Sequence, residues 1–197
     1  MTFAVEAQDD YISWTSVQLQ TQLSDKTRIS LKPIFRHYRD LSQYQNMSVD
    51  LSVRRDLGKG WSTLFLTRSW FIPEADYRHF LWTDVAYGLK KNTITISNRL
   101  RYHWALNVND NKDPDYFRWS ARITFRNDKK FKPYFQVEPW LRADGIYQFQ
   151  RMRYEPGFSW TFGKQYRLDF QYRIEKFFNV PTERQFNVFV LNFLFII

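Results

Sequence analysis

The chain has 197 residues, of which 44% are hydrophobic and 20% aromatic, and its formal net charge is +9. It contains no cysteine, which excludes disulfides, thiolate catalysis and cysteine-ligated metals. This length suits a single domain, and no linker rich in Pro, Ser or Gly divides the chain. No run approaches about 18 apolar residues, so the sequence predicts no transmembrane helix.

Apolar and polar residues alternate along almost the whole chain, which predicts β-strands and disfavours helices. In the first of these segments Val17 and Leu19 share one face, and Ser16 and Gln18 share the other. The predicted strands lie near residues 11–23, 27–41, 47–57, 61–72, 78–90, 93–107, 116–127, 132–143, 147–162, 166–178 and 185–197. We therefore expect about eleven strands within a barrel formed by residues 11–197.

Residues 1–10 form a separate N-terminal segment, in which residues 2–8 are a candidate for a short first strand. Such a strand would make the total even, as is usual for bacterial single-chain barrels. Residues 1–8 lack the basic region and the long apolar core of a secretion signal. We therefore expect the sequence to represent a mature or an engineered form.

Connections of two lengths alternate along the chain, a pattern typical of outer-membrane barrels. Short connections are predicted near residues 25–26, 58–60, 90–92, 127–131 and 163–165. Longer connections are predicted near residues 42–46, 73–77, 107–115 and 179–184, and the connection near residues 143–146 is not much longer than the short ones. Short turns would then occupy one rim of the barrel and longer loops the other.

One face of the predicted strands carries charged side chains, and the opposite face carries aliphatic and aromatic ones. We expect the charged face to line a lumen. The candidate lumen-lining residues are Arg28, Arg36, Asp50, Arg54, Asp84, Arg99, Arg101, Arg118, Arg122, Glu138, Arg151, Arg153 and Glu155. Because arginines outnumber carboxylates on this face, the lumen is expected to be arginine-rich and largely filled by side chains.

The predicted strand length distinguishes a membrane barrel from a soluble one. The segments are longer than the usual strand of about 5–6 residues and match the roughly 9–11 residues of a tilted bilayer crossing. Tyr and Trp near many segment ends favour a lipid–water interface. The sequence thus predicts an all-β fold, a single antiparallel up-and-down transmembrane barrel of about 10–12 strands in a bacterial outer membrane. The alternative is a soluble lipocalin-like barrel, which Pro33, Pro133 and Pro139 in or near strands would favour.

Three segments carry a family resemblance: residues 99–104 (Arg-Leu-Arg-Tyr-His-Trp), 116–122 (Tyr-Phe-Arg-Trp-Ser-Ala-Arg) and 132–140 (Lys-Pro-Tyr-Phe-Gln-Val-Glu-Pro-Trp). With the start at residues 9–14 (Asp-Asp-Tyr-Ile-Ser-Trp), they resemble the domain of unknown function 2490 family over almost the whole chain. The resemblance implies an outer-membrane barrel of the kind found in Bacteroidetes and related Gram-negative bacteria. It implies nothing about mechanism.

Residues suited to catalysis are sparse. His37, His79 and His103 are the only histidines, and no Gly-x-Ser-x-Gly elbow accompanies them. We predict no catalytic residue. Asp113 and Asp115, with the neighbouring Asp110, could offer oxygen ligands to calcium, but their spacing favours a solvated acidic loop.

We therefore expect no metal and no cofactor. Nucleic acid is also excluded as a partner, because neighbouring basic and aromatic residues on a strand point to opposite faces.

Three functions remain open. The first is a structural or accessory component of an envelope complex, with outer-membrane lipid and other envelope proteins as partners. The second is a narrow channel that prefers anions, as an arginine-rich lumen would. The third is an envelope lipid hydrolase that uses one histidine.

Overall fold

A computed structural model describes residues 10–38, 41, 43–72, 77–106, 113–126, 130–145, 147–180 and 184–197. Eleven strands in these ranges form one closed barrel, which confirms the prediction of an all-β barrel. Their bounds are β1 Asp10–Ser24, β2 Thr27–Tyr38, β3 Gln43–Gly58, β4 Trp61–Phe71, β5 Arg78–Lys91, β6 Ile94–Leu106, β7 Tyr116–Phe125, β8 Phe131–Arg142, β9 Gln148–Phe162, β10 Tyr166–Phe177 and β11 Gln185–Ile196. The described residues contain no helix long and apolar enough to cross a membrane.

The order of strands around the barrel follows the order of the chain. Each strand pairs with the next in antiparallel direction, and β1 closes the barrel by pairing with β11 in parallel, from Asp10 opposite Phe186 to Gln20 opposite Ile196. The expectation of a purely antiparallel barrel is therefore wrong at this closing pair. Successive strands alternate in direction, so the first and the eleventh must run the same way. The candidate strand at residues 2–8 lies outside the described residues.

The two rims differ in most of their connections as the alternation predicts. The exceptions are the β7–β8 connection of residues 126–130, which is longer than the β2–β3 connection of residues 39–42, and residues 43–46, which the sequence predicts as part of a loop but which begin β3. The tight-turn rim carries the connections β1–β2, β3–β4, β5–β6, β7–β8 and β9–β10, and the long-loop rim carries the other five. At the tight-turn rim Lys59 and Asn92 adopt left-handed φ angles of 51° and 48°, as short hairpin turns require. The chain enters β1 at the long-loop rim and leaves β11 at the tight-turn rim.

Prolines within the strands coincide with gaps in the hydrogen-bonded ladders. The β1–β2 ladder skips the pairs at Pro33, the β7–β8 ladder those at Pro139, and the β9–β10 ladder those at Pro156. Each proline stays in register with the strand on its other side. Because a proline lacks only its own N–H donor, each strand continues past it, and the barrel stays closed.

Burial is inverted with respect to a water-soluble protein. The most deeply buried side chains include Glu138 and Asp84, and six arginines are also buried. Large apolar side chains on every side of the barrel point outward and are exposed. The buried apolar cluster is small and consists of Leu66, Phe80 and Trp82. The interior is therefore held together mainly by polar contacts.

Gly157 provides the space in which the ring of Tyr134 lies. A Cβ atom at this glycine would lie 2.7 Å from the Tyr134 ring and 2.5 Å from the carbonyl oxygen of Phe170. We expect Gly157→Ala to lower the free energy of unfolding by about 1–3 kcal/mol, since neither neighbour can move freely. Thermal unfolding followed by circular dichroism would measure the change.

Gly88 supplies the matched control, because it also lies within a strand but its Cβ would meet only the Gly60 carbonyl oxygen at 3.9 Å. Gly88→Ala should leave stability unchanged or raise it slightly. Equal losses in the two variants would show that the space at Gly157 has no special role.

Candidate functional site

The barrel encloses a cavity of about 570 Å³ to which every strand contributes side chains. Twelve cationic and six acidic residues line it. The cationic residues are Lys32, Arg36, Arg54, Arg68, Arg99, Arg101, Arg118, Arg122, Arg151, Arg153, Arg167 and Arg173. The acidic residues are Asp50, Asp113, Glu138, Glu155, Asp169 and Glu175. The cavity wall therefore carries a surplus of positive charge.

Strand register brings the opposite charges together. Alternation points every second side chain inward, and pairing places Asp50 directly opposite Arg68 and Asp84 directly opposite Arg101. Both pairs are bidentate, with N–O distances of 2.5 and 2.7 Å for Asp50 and of 2.5 and 2.6 Å for Asp84. Bidentate guanidinium–carboxylate pairs are among the stronger hydrogen-bonded contacts in proteins.

Glu138 is the centre of the charge network. Its carboxylate accepts hydrogen bonds from Arg99 at 2.5 Å, Arg118 at 2.7 Å and Arg153 at 3.2 Å. The indole nitrogen of Trp140 donates a fourth bond at 2.8 Å. The residue is only 1% exposed. One carboxylate thus accepts hydrogen bonds from cations of β6, β7 and β9 at once.

The network continues into β10. Glu175 accepts hydrogen bonds from Arg151 at 2.6 Å and from Arg153 at 3.1 Å, so Arg153 bridges two carboxylates. Glu155 accepts a 2.5 Å bond from Arg173. Side chains of consecutive strands from β6 to β10 are therefore linked across the interior.

Tryptophan rings pack against the same guanidinium groups. The guanidinium carbons of Arg118, Arg151 and Arg153 lie 3.8, 4.4 and 4.1 Å from the ring centroid of Trp140. Such cation–π contacts stabilise a desolvated cation without neutralising it. They let three arginines crowd around one ring beside Glu138.

Four cavity-lining cations have no carboxylate within salt-bridge distance in the described part of the chain: Lys32, Arg36, Arg54 and Arg122. Arg122 instead covers the Tyr134 ring at 3.4 Å. Arg36 lies between two tryptophans. These four residues account for most of the local surplus of positive charge.

The structure places most of the predicted lumen residues inside the barrel. Those that line the cavity are Arg36, Asp50, Arg54, Arg99, Arg101, Arg118, Arg122, Glu138, Arg151, Arg153 and Glu155. Asp84 is buried in the wall against Arg101. Arg28 has the inward parity but is exposed, because it is the second residue of β2 beside a tight turn. That these residues form a functional lumen stays a prediction.

Several charged residues of the interior were not among the candidates. Arg68 was missed because its inward neighbours on β4 are Leu64 and Leu66, which made that face look apolar. Arg173 and Glu175 show the same inward alternation on β10 as the candidates do on β9. Alternation alone could have identified these two residues, whereas Arg68 required the neighbouring strand.

The histidines lie apart from one another. His103 is buried among the rings of Phe80, Trp82 and Trp140, with centroid distances of 4.9, 5.1 and 6.1 Å. His79 faces outward, and its Nδ1 lies 3.2 Å from the hydroxyl oxygen of Ser69. No described carboxylate is hydrogen-bonded to His79, so this contact lacks the third group that orients a catalytic histidine.

The acidic loop candidates for calcium are engaged in other contacts. Asp113 pairs with Arg78 at 3.0 Å, and Asp115 accepts hydrogen bonds from the Tyr102 hydroxyl and the Ala105 amide. Asp110 lies outside the described residues. Across the described ranges no group of three or more His, Asp or Glu side chains is arranged to hold a metal ion.

Glu138→Gln keeps the shape of the side chain but removes the charge that neutralises three arginines. Breaking a buried ion pair by removing one partner typically costs about 3–5 kcal/mol, and we expect a loss of that size in the free energy of unfolding. Urea unfolding followed by tryptophan fluorescence would measure it.

Asp144→Asn is the matched control. Asp144 forms a bidentate pair with Arg142 at the exposed long-loop rim, and that contact lowers the pKa of its carboxyl group. Because exposed pairs contribute about 0–1 kcal/mol, this variant should lose little stability. If Glu138→Gln were equally mild, the buried network would not be what stabilises the interior.

Comparisons with known proteins give one result. A family model described as protein of unknown function (DUF2490) matches residues 12–187. Searches among curated proteins and among solved structures found no match. Since the match covers most of the chain, it confirms the resemblance seen in the sequence, and the chain belongs to this family of unknown function.

Proposed function

We propose that the barrel spans a bacterial outer membrane as a structural or accessory component of an envelope complex. Its apolar outer surface would contact lipid, and its interior would be largely filled by the arginine–carboxylate network. Other envelope proteins would be its partners. Nothing in this proposal requires a cofactor.

The observation that carries the proposal is the inversion of burial. Leu100 and Val85, in the middle of their strands, are 55% and 50% exposed, whereas Glu138 is 1% exposed. Soluble monomers rarely expose apolar patches larger than a few hundred Å², yet here such residues surround the barrel. Lipid would cover them, while most of the charged side chains inside would be paired with one another.

Strand length and closure support the same proposal. The strands have 10 to 16 residues, and about 9–11 are needed to cross a bilayer at a tilt. Pairing between β1 and β11 closes the described barrel, so that both outer strands have a partner. An unpaired sheet edge would leave backbone groups without hydrogen bonds in lipid, and such edges do not occur there. Exposed aromatics lie at both rims, with Trp61 and Tyr166 at the tight turns and Tyr77 and Tyr147 at the longer loops. Such amphipathic rings prefer the interface.

A pair of leucines tests the membrane proposal. Leu100 lies near the middle of β6, Leu57 lies at the tight-turn end of β3, and both are 55% exposed. In lipid, an arginine at the midplane costs about 2–4 kcal/mol and one near the interface about 0–1 kcal/mol. We expect Leu100→Arg to impair folding into vesicles and Leu57→Arg to have little effect.

The fraction folded into vesicles can be read from the gel mobility of samples that have not been boiled. On a water-exposed surface the two substitutions would be equally mild, because exposed positions usually change stability by about 0.5 kcal/mol or less. Equal tolerance of both, with the wild type folded and monodisperse in plain buffer, would contradict the membrane proposal.

A narrow anion-preferring channel is the second candidate, and the surplus of cations along the cavity favours it. Planar-bilayer recordings should then show a small conductance that prefers anions. Arg54→Glu should reduce this preference, because Arg54 lines the cavity. The adjacent Arg55 is exposed and does not line it, so Arg55→Glu should leave the preference unchanged.

The recordings separate the candidates. A silent barrel would support the structural role, and a steady anion current would favour the channel. A large cation-selective conductance would contradict both. The lipid hydrolase keeps one supporting contact, that between Ser69 and His79, and stays a hypothesis.

A further inference from the structure

Arg36 lies in an aromatic clamp near the long-loop rim. Its guanidinium carbon is 4.3 Å from the ring centroid of Trp14 and 4.4 Å from that of Trp70. Trp14 is its register partner on β1, and Trp70 is the next-to-last residue of β4. Two rings therefore contact the guanidinium group, while its N–H groups still need acceptors.

The polar atoms around this clamp lack partners. Arg36 is 4% exposed, and its Nε and Nη2 have no hydrogen-bond acceptor among the described residues. Asn46 Oδ1 likewise has no donor, and Ser48 Oγ and Trp70 Nε1 have no partner, among the described residues; these atoms are buried on the two following strands. Register places Asn46 opposite Arg36 and Ser48 opposite Trp70. Since buried polar groups in proteins are nearly always satisfied, such a cluster suits a polar ligand.

The charges around the clamp favour a negatively charged ligand over a positively charged one. Of the charged groups that act most strongly on Arg36, three are arginines, namely Arg68, Arg153 and Arg173, and one is a carboxylate, Asp50. Both carboxylate oxygens of Asp50 already accept hydrogen bonds from Arg68. A cation would be repelled here, whereas an anion would find uncompensated positive charge.

The clamp faces the cavity. Arg36, Trp14 and Trp70 line the cavity together with Asp113 and Pro114, which precede β7 at the long-loop rim. The cavity volume of about 570 Å³ falls within the range of small-molecule sites, roughly 300–1,000 Å³. The cavity is therefore large enough to hold a small ligand beside the clamp.

We propose that the Arg36 clamp binds a phosphoryl group, carried by a small phosphorylated molecule or by a lipid head group. A phosphate presents several acceptor oxygens to the unpartnered Arg36 and Trp70 donors, and both of these residues line the cavity. This site goes beyond the proposed membrane role, because it would exist in the refolded barrel whatever its cellular partners are.

Phosphate titration of the refolded barrel tests the proposal. The protein would be held in octyl glucoside, which contains no phosphate, and titrated with inorganic phosphate against sodium chloride of equal ionic strength. Tryptophan fluorescence and calorimetry would follow binding, since two tryptophans contact the site. We expect saturable binding that Arg36→Gln weakens by about tenfold or more, as the loss of a charged hydrogen-bonding partner would.

Arg54→Gln is the matched control. Arg54 also lines the cavity without a carboxylate partner, but it lies toward the tight-turn rim. Its loss removes the same charge from the lumen and should change phosphate affinity by about threefold or less, because only long-range attraction is lost. Absence of saturable binding in the wild type, or equal weakening in both variants, would overturn the proposal.

Trp70→Phe keeps the test decisive if Arg36→Gln does not fold. Trp70 lines the cavity with an unpartnered Nε1, and phenylalanine keeps an aromatic ring beside Arg36 without that donor. We expect weaker phosphate binding by calorimetry from a barrel that still folds. Unchanged affinity in this variant would contradict a phosphoryl site at the clamp.

Vesicles distinguish the two sources of the phosphoryl group. The titration would be repeated in vesicles of a phosphate-free galactolipid with and without phosphatidylglycerol, because the head group of phosphatidylcholine itself carries a phosphate. If the anionic lipid lowers the apparent phosphate affinity of the wild type but not of Arg36→Gln, a lipid head group occupies the clamp. If it lowers neither, the clamp takes a free phosphorylated molecule. Either outcome supports a phosphoryl site and identifies its source.

Discussion

Neutralisation of buried arginines by a few carboxylates is the constraint on which the rest of this barrel depends. Apolar side chains lie mainly on the outer surface, so they cannot form the usual hydrophobic core. The interior instead holds guanidinium groups that would repel one another without Glu138 and the other carboxylates. Because buried charges are costly unless paired and hydrogen-bonded, the positions of those carboxylates determine how closely the strands can pack around the lumen.

Strand register is what delivers each carboxylate to its arginines. A shift of one residue would turn every inward side chain outward, and it would separate Asp50 from Arg68 and Asp84 from Arg101. The charge pairs and the ladders therefore favour the same register. The parallel closing pair follows from strand number alone, since eleven strands in sequence cannot close with antiparallel neighbours throughout.

Much of the fold follows from local alternation, and the site follows from it only in part. Period-two patterning predicted the strands, their faces and the two kinds of rim. It could not predict which charges meet, because Arg99 reaches Glu138 across the intervening strand β7, at a separation of 39 residues. Such contacts depend on the curvature of the closed barrel. Arg28 illustrates the opposite failure, since its parity is correct but its depth along the strand leaves it exposed.

The surplus of positive charge is unevenly distributed, and this unevenness connects the charge network with the proposed binding site. Around Glu138 and Glu175, Arg99, Arg118, Arg151 and Arg153 each donate to at least one carboxylate, although the Nε of each is buried without a hydrogen-bond partner among the described residues. Arg36 differs because no described carboxylate lies within salt-bridge distance of it, and both its Nε and its Nη2 are buried without acceptors. Contact with aromatic rings stabilises a cation but does not neutralise its charge. Selection for stability alone would favour a carboxylate beside Arg36, as at the other buried arginines. Tryptophans lie there instead, and the positive charge of Arg36 therefore stays available to an external anion.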